Sequence, residues 1–98
     1  MNHRIIGIAW QPSIGVELSK LSLLDNPEAI LSIYGKKGLL LQMPLYQLSL
    51  LSIGITSIGS ASDSLNLEDV ERIVYPNWVG AIYLQLQDGS FAYDLRVS

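Results

Sequence analysis

The sequence predicts a β-rich domain of the α+β class, with about six or seven mostly antiparallel strands and one short helix near residues 67–74. Three observations support this prediction. Two alternating runs flank an Asp-Gly dipeptide near the C-terminus, short apolar runs in the first half end at Gly or Pro, and one acidic segment has helical spacing. Evenly spaced short strands favour a sandwich or a partly open barrel, and 98 residues form a single domain, 1–98.

The C-terminal hairpin is the clearest predicted element. Asp88-Gly89 separates two runs in which apolar and other residues alternate. A two-residue type I′ turn at this dipeptide would pair Leu86 with Phe91 and Leu84 with Tyr93. These apolar residues would then share the face of the hairpin that packs on the core.

The short helix is predicted from the segment before that hairpin. Asn66 is a suitable N-cap, the acidic residues that follow favour the positive end of a helix dipole, and Pro76 ends the element. The apolar residues that would share one helical face are Leu67, Val70, Ile73 and Val74.

Two strands are expected near the N-terminus, at residues 4–10 and 14–18. Residues 30–34 are predicted to form a strand that turns at Gly35-Lys36-Lys37-Gly38 into a partner at residues 39–41. The alternative is a helix over 27–34, with Pro27 at its first position and Gly35 just past its end.

The segment after Pro44 is expected to continue the sheet. The run from residue 48 to residue 58 is apolar, and Gly54 within it suggests a bulge or a close approach of two backbones. Residues 57–64 are rich in Ser and Gly, which predicts a flexible loop.

Charge and composition exclude several classes of function. Six Lys and Arg against nine Asp and Glu give a net charge of −3, so this acidic chain has no concentrated basic face for nucleic acid. It has no cysteine and a single histidine, His3, so we expect no metal and no cofactor. An enzyme is not expected, and it would have to use Asp94, Tyr83 and Arg96.

A membrane span is the alternative for the uncharged middle of the chain. Residues 39–58 have the length of a span, but Gln42, Pro44 and Gln47 would place polar groups in the lipid. The N-terminal apolar run is too short for a signal peptide. We therefore expect a cytoplasmic protein without a membrane segment.

A second possibility is a module that binds a small, partly apolar ligand. Aromatic side chains beside turns can line a pocket, and Tyr83 would face Asp94 beside Arg96 on the polar face of the hairpin. The candidate ligand-binding residues are Trp10, Tyr75, Trp78, Tyr83, Asp94 and Arg96.

The preferred prediction is a non-enzymatic domain that acts through protein–protein contacts, as a homo-oligomer and most simply a dimer. Only 15% of the residues are charged, and none lies between Gly38 and Ser62, so a monomer would expose an apolar patch beside a sheet edge. Contact of this surface with a different protein or with a lipid is the competing explanation. The candidate interface residues are Leu45, Tyr46, Leu48, Leu50, Leu51 and Ile53.

Overall fold

Eight strands in two sheets make up the fold in the computed structural model, which describes residues 3–13, 29–52, 54–58 and 65–93. The strands are β1 (Ile5–Pro12), β2 (Ile30–Gly35), β3 (Gly38–Pro44), β4 (Ser49–Leu50), β5 (Thr56–Ser57), β6 (Arg72–Val74), β7 (Gly80–Leu86) and β8 (Phe91–Tyr93).

The larger sheet has the order β4-β1-β7-β8, and β5 also pairs with β1. Its pairs are antiparallel except for the parallel contact between β1 and β4. The smaller sheet has the order β3-β2-β6 and is antiparallel throughout. The β-rich, mostly antiparallel prediction is confirmed. The described residues form eight strands rather than six or seven, because 48–58 contributes two short strands and Arg72–Val74 a third, and the two sheets do not close into a barrel.

One hydrophobic core joins the two sheets. Alternation in β1 and β7 turns Ile8, Trp10, Ile82 and Leu84 inward, and the smaller sheet contributes residues such as Ile33. All five side chains are almost completely buried. The core therefore depends on the period-two pattern of the long strands rather than on a helix.

The predicted helix over 67–74 is wrong. Residues Leu67–Asp69 form a single 3-10 turn, and Arg72–Val74 is strand β6. Asn66 makes no side-chain cap hydrogen bond. A helix this short has little stability of its own, whereas Ile73 and Val74 favour a strand and pair with the edge of β2.

The C-terminal hairpin is present, but its predicted register is wrong by one residue. Leu86 donates its N–H to the Ser90 carbonyl at 2.8 Å, so the loop has three residues, and Gly89 adopts a φ of 91°. A type I′ turn would also need positive φ at Asp88, and within the described residues only glycines have it. Phe91 consequently lies opposite Gln85.

Two predictions for the first half of the chain are confirmed. Residues 4–10 fall almost entirely within β1, and Lys36-Lys37 form the turn between β2 and β3. The alternative helix over 27–34 is wrong for residues 30–34. The predicted strand at 14–18 and most of the loop at 57–64 lie outside the described residues.

Residues 48–58 do not form one continuous strand. They contribute the two-residue strands β4 and β5, with a turn between them in which Gly54 donates its N–H to the Leu50 carbonyl. Gly54 has a φ of 149°, and no described atom lies within 4 Å of an added Cβ, so the described residues show no close backbone approach at this position. Gly54 has a conformational role, because residues other than glycine rarely adopt that backbone angle.

Candidate functional site

Trp10 belongs to the core. Its side chain is fully buried between the sheets, and the indole N–H donates to the Val79 carbonyl at 3.0 Å. Tyr75, a second predicted ligand-binding residue, is also buried. Both side chains stabilise the fold, and neither presents an open aromatic face to a ligand.

Trp78 and Tyr83 lie nearer to solvent. Trp78 is in the 3-10 turn Asn77–Val79 and is about half exposed. The hydroxyl of Tyr83 donates to Gln11 Oε1 at 3.0 Å, which links β7 to β1 on the face away from the core.

The predicted group of Tyr83, Asp94 and Arg96 depended on the two-residue turn. With the observed register, Tyr83 lies opposite Tyr93 rather than Asp94. Asp94 and Arg96 themselves lie outside the described residues. The pairing that motivated this polar patch is therefore absent from the hairpin.

The predicted interface residues separate into two groups. Leu45 and Leu48 are fully buried in the core, so they are not available to a partner. Leu50 and Leu51 are partly buried, and Tyr46 is exposed. Ile53 lies outside the described residues.

Exposed apolar side chains concentrate at β3. In the part of the chain that the structure describes, five large apolar residues are strongly exposed, and three of them lie in β3 or directly after it. Their exposed fractions are Leu39 50%, Leu40 42%, Tyr46 37%, Trp78 47% and Phe91 48%. Strand β3 has no charged residue and pairs only with β2 among the described strands.

Leu39 and Leu40 were not singled out from the sequence, although the uncharged segment that contains them was. A signal was present, because the predicted hairpin makes residues 39–41 its second strand. The second strand of a two-stranded unit lies at an edge unless a third strand covers it. A bulge between the pairs Ile33–Leu41 and Tyr34–Leu39 leaves Leu40 as the extra residue.

A cleft of about 340 Å³ opens at the C-terminal end of β1. Leu50, Leu51 and Pro12 supply its apolar lining, and Gln11 and Ser52 its polar groups, and Trp10 also lines it. Its volume is within the range of small-molecule sites. The cleft thus brings together one predicted ligand-binding residue and two predicted interface residues.

Charged side chains surround a second cleft of about 280 Å³, between the β2–β3 turn and the 3-10 turn at residues 67–69. Lys36 and Lys37 lie on one side, and Glu68, Asp69 and Glu71 on the other. These groups are exposed to solvent, which weakens any attraction between them.

Glu68 has a structural role. Its carboxylate accepts hydrogen bonds from the backbone N–H of His3 at 3.2 Å and from the His3 ring. Hydrogen bonds from its own backbone N–H and from His3 lower the pKa of the Glu68 carboxyl. The contact holds the start of β1 against the 3-10 turn.

Within the described ranges, no group of three or more acidic or His side chains could hold a metal. No helix among the same residues is long and apolar enough to cross a membrane. Comparison with protein-family models, with curated proteins and with solved structures found no match.

Proposed function

We propose that this protein is a non-enzymatic domain that self-associates through strand β3, with a dimer as the functional unit. The observation that carries the proposal is that three of the five strongly exposed apolar side chains, Leu39, Leu40 and Tyr46, lie along one sheet edge. An exposed apolar edge strand is a ready template for another chain.

The lack of charge along β3 strengthens this proposal. Proteins that remain monomeric commonly protect an edge with charged side chains, and β3 has none from Gly38 to Pro44. The nearest charges along the chain are Lys36 and Lys37, in the turn that precedes the strand. Leu40 also lines the cleft that contains Glu68, Asp69 and Glu71, so the rest of β3 is the part of the edge without neighbouring charges. Association would remove the exposed leucines from water, which stabilises the complex by about 25 cal/mol for each Å² of apolar surface covered.

Light scattering over a dilution series tests the proposal. We expect a mass of twice 10.8 kDa that falls towards 10.8 kDa on dilution. The variant with Leu39→Lys and Leu40→Lys should remain monomeric, because its two new charges would have to be buried in the contact. A wild-type protein that is monomeric even at high micromolar concentration would overturn the proposal.

A matched control separates this edge from the rest of the surface. The variant with Trp78→Lys and Phe91→Lys also replaces two half-exposed apolar side chains, but outside β3. It should keep the wild-type mass. Loss of the dimer in this control, and not in the β3 variant, would place the contact elsewhere.

The cleft beside Leu50 and Leu51 supports a second candidate, a binding site for a small, partly apolar ligand. Its combination of apolar walls with the Gln11 amide and the Ser52 hydroxyl is the observation in favour. Fluorescence titration with the apolar dye anilinonaphthalene sulfonate checks it. We expect binding that Ser52→Phe blocks by filling the cleft, and equal binding by that variant would reject the site.

A further inference from the structure

The backbone of β3 shows which of its polar groups point away from β2, towards the edge that no described strand covers. Leu45 donates its N–H to the Ala29 carbonyl at 2.9 Å, in the same register that pairs Leu31 with Met43. Hydrogen-bonded and non-hydrogen-bonded pairs alternate along an antiparallel ladder. Gln42 therefore belongs to a non-hydrogen-bonded pair, and its N–H and C=O point away from β2.

Pro44 is consistent with this assignment. It lies two residues from Gln42, so its nitrogen also faces the open edge, where the missing N–H costs no hydrogen bond to β2. On the other side of β2, Glu71 donates its N–H to the Tyr34 carbonyl, as the alternation requires. The regular part of the β3 edge thus offers both polar groups of Gln42 and the carbonyl of Pro44.

The side chains of β3 suit pairing with an identical strand. A two-fold axis brings identical residues together, and like charges placed opposite each other destabilise a strand pair. Strand β3 has seven residues and no charge, whereas the edge strand β6 has three residues and includes Arg72. The edge strand β8 is also only three residues long.

We infer that a second copy of this chain adds its β3 antiparallel to β3 of the first, with Gln42 opposite Gln42 at the two-fold axis. This inference rests on the proposed self-association and specifies its geometry. The two Gln42 residues exchange two backbone hydrogen bonds, and the three-stranded sheets of the two copies join into one continuous sheet.

This register also accounts for the position of the exposed apolar residues. Tyr46 of one copy comes next to the start of β3 in the other, where Leu39 is half exposed. The partly buried Leu41 of each copy lies opposite Met43 of the other across the new strand pair, which extends the core. The Lys37 residues of the two copies lie about 33 Å apart, since ten residues at strand spacing separate them.

Cysteine cross-linking tests the geometry, because the chain contains no cysteine. In a hydrogen-bonded pair at the two-fold axis, the two Cα atoms lie about 5.5 Å apart, within the range that a disulfide spans. Gln42→Cys is expected to form a disulfide-linked dimer under mild oxidation. Gln87→Cys, an equally exposed glutamine in the β7–β8 loop, serves as the matched control and should remain unlinked.

The outcomes separate the inference from the proposal on which it rests. Gln42→Cys removes a side-chain hydrogen bond to Ser32 Oγ, so its circular dichroism and wild-type mass in reducing buffer are checked first. If Gln42→Cys fails either check, the double variant with Leu40→Cys and Pro44→Cys is used instead. Residues 40 and 44 of different copies lie opposite each other in this register, so this variant should also form a disulfide-linked dimer. Rapid cross-linking of the β3 variant alone supports the register. A wild-type dimer whose β3 cysteines do not link, or link no faster than Gln87→Cys, overturns the inference and leaves self-association standing, whereas a wild-type monomer overturns both.

Discussion

Strands β1 and β3 are similar in composition and opposite in environment. β1 has eight residues, β3 has seven, and neither contains a charge. β1 is covered by β7 along one edge and by β4 and β5 along the other, and Arg4, just before β1, forms a bridge with Asn66. β3 pairs with β2 alone among the described residues.

The difference shows that an apolar sequence does not by itself determine whether a strand lies at the centre or at the edge of a sheet. Two short segments distant in sequence cover the second edge of β1, and their side chains need little hydrophobic character to do so. An apolar strand left without such cover exposes its side chains and its backbone. A second chain is then the simplest source of the missing cover.

The largest expected effect is at the centre of the molecule. Trp10→Ala removes the largest fully buried side chain and leaves the Val79 carbonyl without its indole donor, so we expect a loss of about 3–5 kcal/mol in unfolding free energy. Leu39→Ala in β3 should change the stability of the monomer by less than about 1 kcal/mol. Chemical denaturation at low protein concentration checks both, and equal losses would remove the contrast between the strands.

Two glycines with the same backbone angle give a finer comparison. Gly80 and Gly38 both have a φ of 127°, but an added Cβ at Gly80 would lie 2.2 Å from the Gln11 carbonyl oxygen of β1. At Gly38, the first residue of β3, nothing lies within 4 Å. We expect Gly38→Ala to cost about 1–3 kcal/mol through backbone strain. Gly80→Ala should cost about 1–3 kcal/mol more through steric overlap, and thermal denaturation that ranks the two variants in the reverse order would contradict this packing.

The register of the C-terminal hairpin predicts a smaller effect. Phe91 lies opposite Gln85 and is about half exposed, so Phe91→Ala should cost less than about 1 kcal/mol. Leu84→Ala on the core face should cost about 2–5 kcal/mol. If Phe91→Ala lowered the unfolding free energy as much as Leu84→Ala, the result would support the two-residue turn instead.

The smallest effect concerns the turn itself. Asp88 Oδ1 accepts hydrogen bonds from the hydroxyl and the backbone N–H of Ser90, which lower the pKa of the Asp88 carboxyl. The stabilisation is therefore fully present above the unfolded-state pKa of about 3.9 and is lost as pH falls through the lower folded-state pKa. Wild type should melt slightly above Asp88→Asn at neutral pH and converge with it in acid, and a constant difference down to the lowest pH would contradict this assignment.

Local sequence predicted β1, the two hairpins and their strands, because alternation and turn residues are local signals. It did not predict the length of the second loop, since Asp88-Gly89 fits both a two-residue and a three-residue turn. The hydrogen bonds from Ser90 to Asp88 accompany the longer loop. The additional loop residue shifts the register by one, so Phe91 lies on the outer face of the hairpin rather than on the expected core face.

The remaining errors arose from contacts between distant parts of the chain. Residues Arg72–Val74 form a strand because the edge of β2 is available to them, which the acidic segment does not reveal. Leu45 was predicted at an interface, but the turn after Pro44 directs it into the core. The exposed apolar character of the uncharged segment was predicted correctly only as a whole, and its concentration at Leu39 and Leu40 required the sheet order.

Amide hydrogen exchange at Gln42, followed by nuclear magnetic resonance across protein concentrations, tests most directly whether a second copy covers β3. Phe91 provides the matched amide, because it follows the hydrogen-bonded pair of Leu86 and Ser90 and points towards the edge of β8 that no described strand covers. The account predicts that protection of the Gln42 amide rises with protein concentration while that of Phe91 stays low. Rapid exchange at Gln42 at every concentration, under conditions where core amides are protected, would contradict it.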